Sequence, residues 1–168
     1  MENNRDNKEK ISQNYIMIMH DSLKKKLVVL EAILMENHKQ QLSVGDGKFD
    51  EPAFEATLAR KEELINQLEE LDAGFQSLFD RVKDDLNLNS HKYAVEIQEM
   101  KELITKISQK SMEVELSEKR NESLMTKKFG ELKREVHQSK NASKVASSYS
   151  QNMQGMGAAT SQYVDSKK

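Results

Sequence analysis

The 168-residue chain has no cysteine and no tryptophan, and it holds a single proline, Pro52. The absence of cysteine excludes disulfides, thiolate zinc sites, iron–sulfur clusters and a cysteine nucleophile. Aromatic residues make up only 5% of the chain and there are six glycines, whereas an all-β domain needs strand-forming aromatics and many turn residues. The chain is rich in Leu, Glu, Lys, Gln and Met, which favour helices. This composition is typical of a long-helix or coiled-coil protein.

Long apolar runs are also missing from the sequence. The longest run, residues 15–19, is far shorter than the roughly 20 apolar residues that a membrane-spanning helix needs. The N-terminal residues 1–10 are polar and charged, so they do not resemble a secretory signal. We therefore expect a soluble, cytoplasmic protein with no stable membrane insertion.

Net charge is close to balanced, at −2 for the whole chain, but it is unevenly distributed. Residues 50–86 carry −7 and residues 119–168 carry +6. The basic part is diluted with Ser, Asn and Gln and has no arginine cluster, so it does not form a nucleic-acid footprint. We expect no nucleic-acid partner. An uneven distribution of charge along the chain can instead hold helices of opposite charge against each other within one fold.

Three segments have apolar residues at every third or fourth position, which predicts helices over about residues 8–42, 50–86 and 91–139. Asp50 suits the N-cap of the second helix and Pro52 its first turn. Breaks are predicted at residues 43–48, which contain two glycines, and at the asparagine-rich residues 86–90. The apolar stripes comprise Ile16, Met19, Leu23, Leu27, Leu30 and Leu34, widened by Ile11, Ile18 and Ile33; then Phe54, Leu58, Ile65, Leu68, Leu71, Phe75, Leu78, Phe79, Val82 and Leu86; and finally Tyr93, Ile97, Met100, Ile104, Ile107, Ser111 and Val114.

The predicted helices differ in length. At about 1.5 Å per residue, the third would be about 70 Å long and the first two nearer 50 Å. We therefore expect an all-α fold: an antiparallel three-helix coiled-coil bundle with an overhanging third helix. Residues 1–7 are predicted to be a disordered lead. Residues 140–168, rich in Ser, Ala, Gln and Gly, are predicted to be a flexible tail.

The third stripe is interrupted by Glu118 and Asn121 before it resumes. This polar patch predicts either a device that fixes coiled-coil register or the point where the helix leaves its partners. Beyond it, four apolar residues share one helix face, and we call them the seam: Met125, Phe129, Leu132 and Val136.

The predicted tail carries separated apolar residues, of which Val145, Tyr149 and Tyr163 are candidates for docking on a partner. A tail that only keeps the protein in solution fits the same composition.

The sequence does not contain a recognisable catalytic or metal motif. Its four histidines are never three or four residues apart and never follow a Glu-x-x pattern, which excludes the usual helical zinc and di-iron ligand sets. Phosphate-binding glycine motifs and the nucleophile elbow are also absent. The paired glutamates lie on a helix exterior. We expect a protein that is not an enzyme and that uses neither a cofactor nor a metal.

The seam is the most informative feature, because apolar surface left in water is unfavourable by about 25 cal/mol per Å². A second copy of the chain would cover it in a structural homodimer. Another protein's amphipathic helix would cover it equally well. A cationic amphipathic helix at a membrane surface is a weaker alternative, because the stripe over residues 119–140 is narrow. The residues alone leave the homodimer and the partner-binding surface equally open.

Three segments resemble FlgN-type flagellar export chaperones. Residues 60–72, Arg-Lys-Glu-Glu-Leu-Ile-Asn-Gln-Leu-Glu-Glu-Leu-Asp, followed by Phe75 and Phe79, resemble the second helix of that family. Residues 118–125 are similar to a later family helix in which an asparagine precedes a leucine. The ending, residues 161–168, resembles the Ser-x-Tyr-x-Asp-x-Lys-Lys close of Gram-positive members, although Val164 replaces an expected aromatic.

This resemblance implies a cytoplasmic chaperone of the flagellar type III export system. Such proteins bind the C-terminal helical segments of the hook–filament junction proteins FlgK and FlgL, prevent premature assembly, and deliver them to the export gate protein FlhA. They use no nucleotide or metal. The resemblance places the client on the seam, and it makes Val145, Tyr149 and Tyr163 candidates for contacting the client or the gate. A FliT-like chaperone of the filament cap protein is a close alternative.

Overall fold

The computed structural model describes residues 1–45 and 47–154, with side chains to residue 150 except that of Tyr149. The described chain consists of three helices: α1 (Glu2–Val44), α2 (Glu51–Leu88) and α3 (Ala94–Gln154). No strand occurs in the part of the chain that the structure describes. The predicted all-α fold is confirmed.

The chain divides into two compact units, and the division falls inside α3. The first unit, Met1–Glu122, contains α1, α2 and the beginning of α3. The second unit, Ser123–Lys168, contains the rest of α3, and its described residues, 123–154, are entirely helical. The seam lies in this second unit.

Side-chain contacts in the first unit define how its helices run. Lys26 of α1 contacts Asp72 of α2, whereas Gln40, further along α1, contacts Lys61, nearer the start of α2. Residue numbers therefore rise along α1 as they fall along α2, so these two helices run in opposite directions. An apolar core lies among the three helices and is formed by Ile16, Met19, Leu23, Leu30, Val82, Leu86, Tyr93, Met100 and Ile107.

The inward face of α2 is rotated relative to the predicted stripe. Leu64, which the stripe omitted, is buried, while the predicted core residues Leu58 and Ile65 are exposed. Ile104 of α3 is also exposed. A three-helix bundle buries only the sector of each helix that faces both neighbours, so residues at the edge of a broad stripe stay in contact with water.

Local chemistry fixes the start of α2 as predicted. Asp50 is the N-cap, and its Oδ1 accepts a hydrogen bond of 3.2 Å from the backbone N–H of Ala53. Pro52 lies in the first turn, where its missing N–H leaves no helical partner unsatisfied. The N–H of Asp50 also donates to the carbonyl of Ser43 at 3.0 Å, which ties the two sides of the α1–α2 turn together.

Two helix ends lie outside the predicted bounds. α1 begins at Glu2, so most of the predicted disordered lead is helical, and α3 continues through residues 140–154 of the predicted flexible tail. Both segments lack proline and glycine, so no residue in them forces the helix to end. The remainder of the predicted tail, from Gly155 onward, lies outside the described residues.

Within the described residues, none of the helices combines the length and hydropathy required to cross a membrane.

Candidate functional site

A layer of polar side chains crosses the first unit between its three helices. Asn37 and Asn121 are only 1% and 3% exposed, so the centre of this layer is as deeply buried as the apolar core. We define the polar layer as Asn37 and Gln40 of α1, Lys61 of α2, and Ser117, Glu118 and Asn121 of α3.

Hydrogen bonds within the polar layer join α1 to α3. The Asn121 Nδ2 donates to the backbone carbonyl of Asn37 at 2.8 Å and to the Gln40 Oε1 at 3.1 Å. The Asn37 Nδ2 donates to the Ser117 Oγ at 2.7 Å. Because these contacts use specific atoms on both helices, shifting α3 by one turn would break all of them at once.

Lys61 connects α2 to the same layer. Its Nζ lies 2.5 Å from the Glu118 Oε1 and donates to the Gln40 Oε1 at 3.5 Å. The lysine is buried while Glu118 is partly exposed, so the ion pair lies at the rim of the bundle. A buried ammonium group needs such partners, because an unpaired buried charge is strongly unfavourable.

One acceptor in the layer lacks a hydrogen-bond donor among the described residues. The Asn37 Oδ1 is fully buried, and none of the side chains or backbone groups described around it donates to it. A buried acceptor in this condition costs about 1–3 kcal/mol, and an internal water bound to it would satisfy it. It is the weakest point of an otherwise well-connected network.

The sequence signalled only part of the polar layer. Asn121 and Glu118 were visible as an interruption of the third stripe, and the structure places Asn121 inside the bundle. Lys61 and Gln40 gave no such signal, because each looks like an ordinary surface residue on its own helix. Their burial depends on partners that are distant in sequence and follows only from the packing of the three helices.

The seam residues lie along one face of α3 in the second unit. Phe129 and Val136 are exposed, and Met125 and Leu132 are half-buried. A depression in this surface lies beside Val136 and is lined by Gly130, Lys133, Arg134, His137, Gln138 and Lys140. The seam therefore presents apolar side chains to solvent next to a basic border.

The three docking candidates of the tail have different outcomes. Val145 is an exposed residue of α3, so it lies on a helix and not in a flexible tail. The backbone of Tyr149 is also part of α3, but its side chain lies outside the description. Tyr163 lies outside the described residues.

A second polar cluster stabilises the turn between α2 and α3. The Asp85 carboxylate accepts hydrogen bonds from the Asn89 Nδ2 at 2.6 Å and from the Tyr93 hydroxyl at 3.2 Å. Hydrogen bonding from Ser12, and then from Asn89 and Tyr93, lowers the pKa of Asp85 against the opposing effect of burial. Burial and the neighbouring Asp85 charge raise the pKa of Tyr93. The cluster ties α1 to the α2–α3 turn.

The described residues do not contain a group of three or more His, Asp or Glu side chains placed to hold a metal ion. His20 contacts Glu99 of α3 at 3.1 Å. Among the described residues, polar side chains gather in the polar layer and in the turn cluster, and the seam is an apolar stripe on α3 alone.

Comparisons of the chain with protein-family models, with curated proteins and with solved structures found no match.

Proposed function

We propose that the chain is a cytoplasmic export chaperone of the FlgN type, without enzymatic activity. Its clients are the C-terminal helical segments of hook–filament junction proteins such as FlgK and FlgL. The chaperone keeps these segments from assembling and delivers them to the export gate protein FlhA. The observation that carries the proposal is the exposure of Val136 on the seam, next to the basic side chains that border it.

The mechanism is the burial of one amphipathic helix against another. A client helix that polymerises through its apolar face is prevented from doing so while that face lies on the seam. Met125 suits this role because its unbranched thioether side chain adapts to the shape of different partners. The energy comes from burial of apolar surface, so the cycle needs neither a nucleotide nor a metal.

The polar layer supports this proposal by holding α3 in register within the first unit. Asn121 lies one residue before the end of that unit and four residues before Met125. On a helix, residues four apart lie on the same face. In the sequence, Met125 therefore follows Asn121 at the four-residue spacing of the third apolar stripe.

Light scattering after size-exclusion chromatography tests the proposal directly. The chain is measured alone and with a C-terminal fragment of a FlgK- or FlgL-like protein, and we expect a 1:1 complex. Absence of a complex, or a tight homodimer that ignores the client fragment, would reject the chaperone function and favour a structural coiled coil. A complex with a filament-cap fragment alone would favour a FliT-like chaperone.

A matched pair of variants tests whether the seam is the client site. Val136→Glu places a charge in the seam and is expected to weaken client binding at least about ten-fold, because an unpaired charge would be desolvated. Val28→Glu introduces the same change at an exposed valine of α1 in the first unit and is expected to leave binding unchanged. Equal effects of the two substitutions would place the client elsewhere. Circular dichroism verifies that both variants remain helical.

A further inference from the structure

The outward face of α1 carries four large apolar side chains. Each is 61–68% exposed: Met17, Val28, Met35 and Leu42. With about 3.6 residues per turn, the four lie within about 40° of each other around the helix axis. The buried residues Met19 and Ile33 lie roughly 160° away from them, on the side of α1 that faces the core. The exposed residues therefore form a line directed away from the bundle.

These four residues belong to a longer pattern with the spacing of a coiled coil. Alternating steps of four and three residues connect eight positions, which we call the outer row: Met17, Asp21, Lys24, Val28, Glu31, Met35, His38 and Leu42. All eight side chains are exposed. In the described part of the chain, the four polar members of the outer row form no ion pair. The outer row is therefore a heptad seam that no described residue pairs with.

The outer row complements itself when two copies of α1 run antiparallel. One alignment places every member level with a member of the second copy: Met17 with Leu42, Asp21 with His38, Lys24 with Met35, and Val28 with Glu31. A two-fold axis relates the copies, so each of these pairs occurs twice. In this alignment the apolar ends of the two rows meet, and like charges are never level with each other.

Other arrangements of the same two helices fit less well. If the alignment moves by one heptad in one direction, Asp21 becomes level with Glu31 of the second copy. If it moves by one heptad in the other direction, Met17 lies beyond the end of the opposite α1 at Val44. A parallel pair would place each charge of the outer row opposite its own copy, which is repulsive. The charges and the apolar ends therefore favour one antiparallel alignment.

We propose that the outer row of α1 is a dimer interface, covered by the outer row of a second copy of this chain in the antiparallel alignment. Burial of the four apolar side chains supplies the favourable free energy, at about 25 cal/mol per Å². The charges select a second copy over an unrelated helix, because the row is its own complement. This dimer does not use the seam and does not depend on the chaperone function. If that function holds, each copy in the dimer binds one client.

Single cysteines at the two ends of the outer row test the direction of the contact, in a chain that has no others. Met17→Cys and Leu42→Cys are treated with a short thiol crosslinker, separately and as an equimolar mixture. We expect a crosslinked dimer in the mixture and none in either variant alone, because the two copies of residue 17 lie roughly 37 Å apart in the antiparallel contact. A mixture of Met17→Cys with Val95→Cys, at an exposed position of α3 outside the row, measures random collisions.

Opposite charges at position 28 test the alignment itself. Val28 is level with Glu31 of the second copy, so Val28→Glu is expected to weaken dimerisation at least about ten-fold by bringing like charges together. Val28→Lys places a cation there and is expected to dimerise at least about ten-fold more tightly than Val28→Glu. Val95→Glu, at a valine that is 66% exposed, is the matched control and is expected to leave the dimer unchanged. Analytical ultracentrifugation over a concentration series measures each monomer–dimer constant, and circular dichroism shows whether each variant is folded.

Three results would overturn the proposal. The first is a native chain that stays monomeric at millimolar concentration. The second is crosslinking of either cysteine variant alone, or a mixture that crosslinks no better than the collision control. The third is an equal effect of glutamate and lysine at position 28, which would mean that Glu31 does not lie opposite. None of these measurements contains a client, and the Val28→Glu monomer is still expected to bind a client on the seam, so failure of the dimer leaves the chaperone proposal standing.

Discussion

The first unit contains two layers whose centres are equally buried but chemically opposite. In the apolar layer, side chains such as Ile16, Met19 and Val82 contact each other without directional bonds. In the polar layer, Asn37 and Asn121 are just as inaccessible to water but are held by hydrogen bonds between specific atoms. The same three helices form both layers, so the contrast isolates the effect of side-chain chemistry.

The two layers contribute differently to the stability of the bundle and to the choice of its register. Apolar burial contributes free energy in proportion to area and tolerates many registers, because one leucine position resembles the next. A buried hydrogen-bond network contributes little net energy but strongly disfavours any arrangement that leaves its groups unpaired. We therefore expect the apolar layer to determine how stable the bundle is, and the polar layer to determine which register it adopts.

The largest loss of stability is expected when a buried apolar side chain is shortened. Leu64→Ala removes a buried side chain of α2 that packs against Val29 and Ile33, and it is expected to lower the free energy of unfolding by about 2–5 kcal/mol. Urea unfolding followed by circular dichroism measures it. Ile65→Ala, at the exposed neighbouring position, is the control and is expected to cost far less. Equal losses would mean that α2 is rotated from its position here.

A smaller loss of stability is expected from a substitution in the polar layer. Asn121→Ala removes the donor shared by the Asn37 carbonyl and the Gln40 side chain, and it is expected to cost about 1–3 kcal/mol because buried acceptors lose a partner. The same unfolding measurement applies. A loss larger than that of Leu64→Ala would contradict the division between the two layers.

The double variant Asn37→Leu/Asn121→Leu sharpens the Asn121 result. Replacing both amides by apolar side chains removes the unsatisfied Asn37 Oδ1 and adds apolar contacts that offset the donor lost by the Asn37 carbonyl and the Gln40 side chain, so stability is expected to be close to that of the native chain. Instead, we expect the alignment of α1 with α3 to become less well defined. Cysteines placed at positions 20 and 99, in a chain that has no others, report the native alignment of α1 and α3 through the yield of a short thiol crosslinker. An unchanged yield would show that the apolar layer alone fixes the register.

The turn cluster gives a pH-dependent prediction. The pKa of Asp85 is lowered in the folded protein, so its contribution to stability is present above the usual aspartate pKa of about 3.9 and is lost as pH falls through the lower, folded value. Asp85→Asn is expected to lower stability by about 1 kcal/mol at neutral pH and to flatten the decline below about pH 4. Thermal unfolding from pH 7 to pH 2 measures both effects, with Asp84→Asn as control.

The smallest effect is expected at an exposed position away from both layers. Gly74 lies inside α2, and a methyl group there would meet no atom within 4 Å. Gly74→Ala is expected to raise the free energy of unfolding by about 0.5–1 kcal/mol, because glycine is a poor helix former. Ala73→Gly, the reverse change at the neighbouring exposed residue, is expected to lower it by a similar amount. A loss of stability in Gly74→Ala would reveal a contact at that face.

The individual helices were largely predictable because their causes are local. The spacing of apolar residues identified three helices, and Asp50 with Pro52 identified the start of α2, since a cap acts on its own first turn. Helix ends were less predictable. α3 continues to Gln154 because nothing between residues 140 and 154 breaks a helix, although the composition of that segment suggested a tail.

Sequence alone determined that this protein is helical, where its helices break, and that residues 125–136 form an apolar seam, because each of these properties depends on residues within one or two turns of each other. Only the tertiary structure decided that Leu64 and not Ile65 faces the core, and that Lys61, Gln40 and Asn121 meet inside the bundle. Their partners lie 21 and 81 positions away in the chain. Such pairings follow from how the helices pack against each other, and no local pattern specifies them.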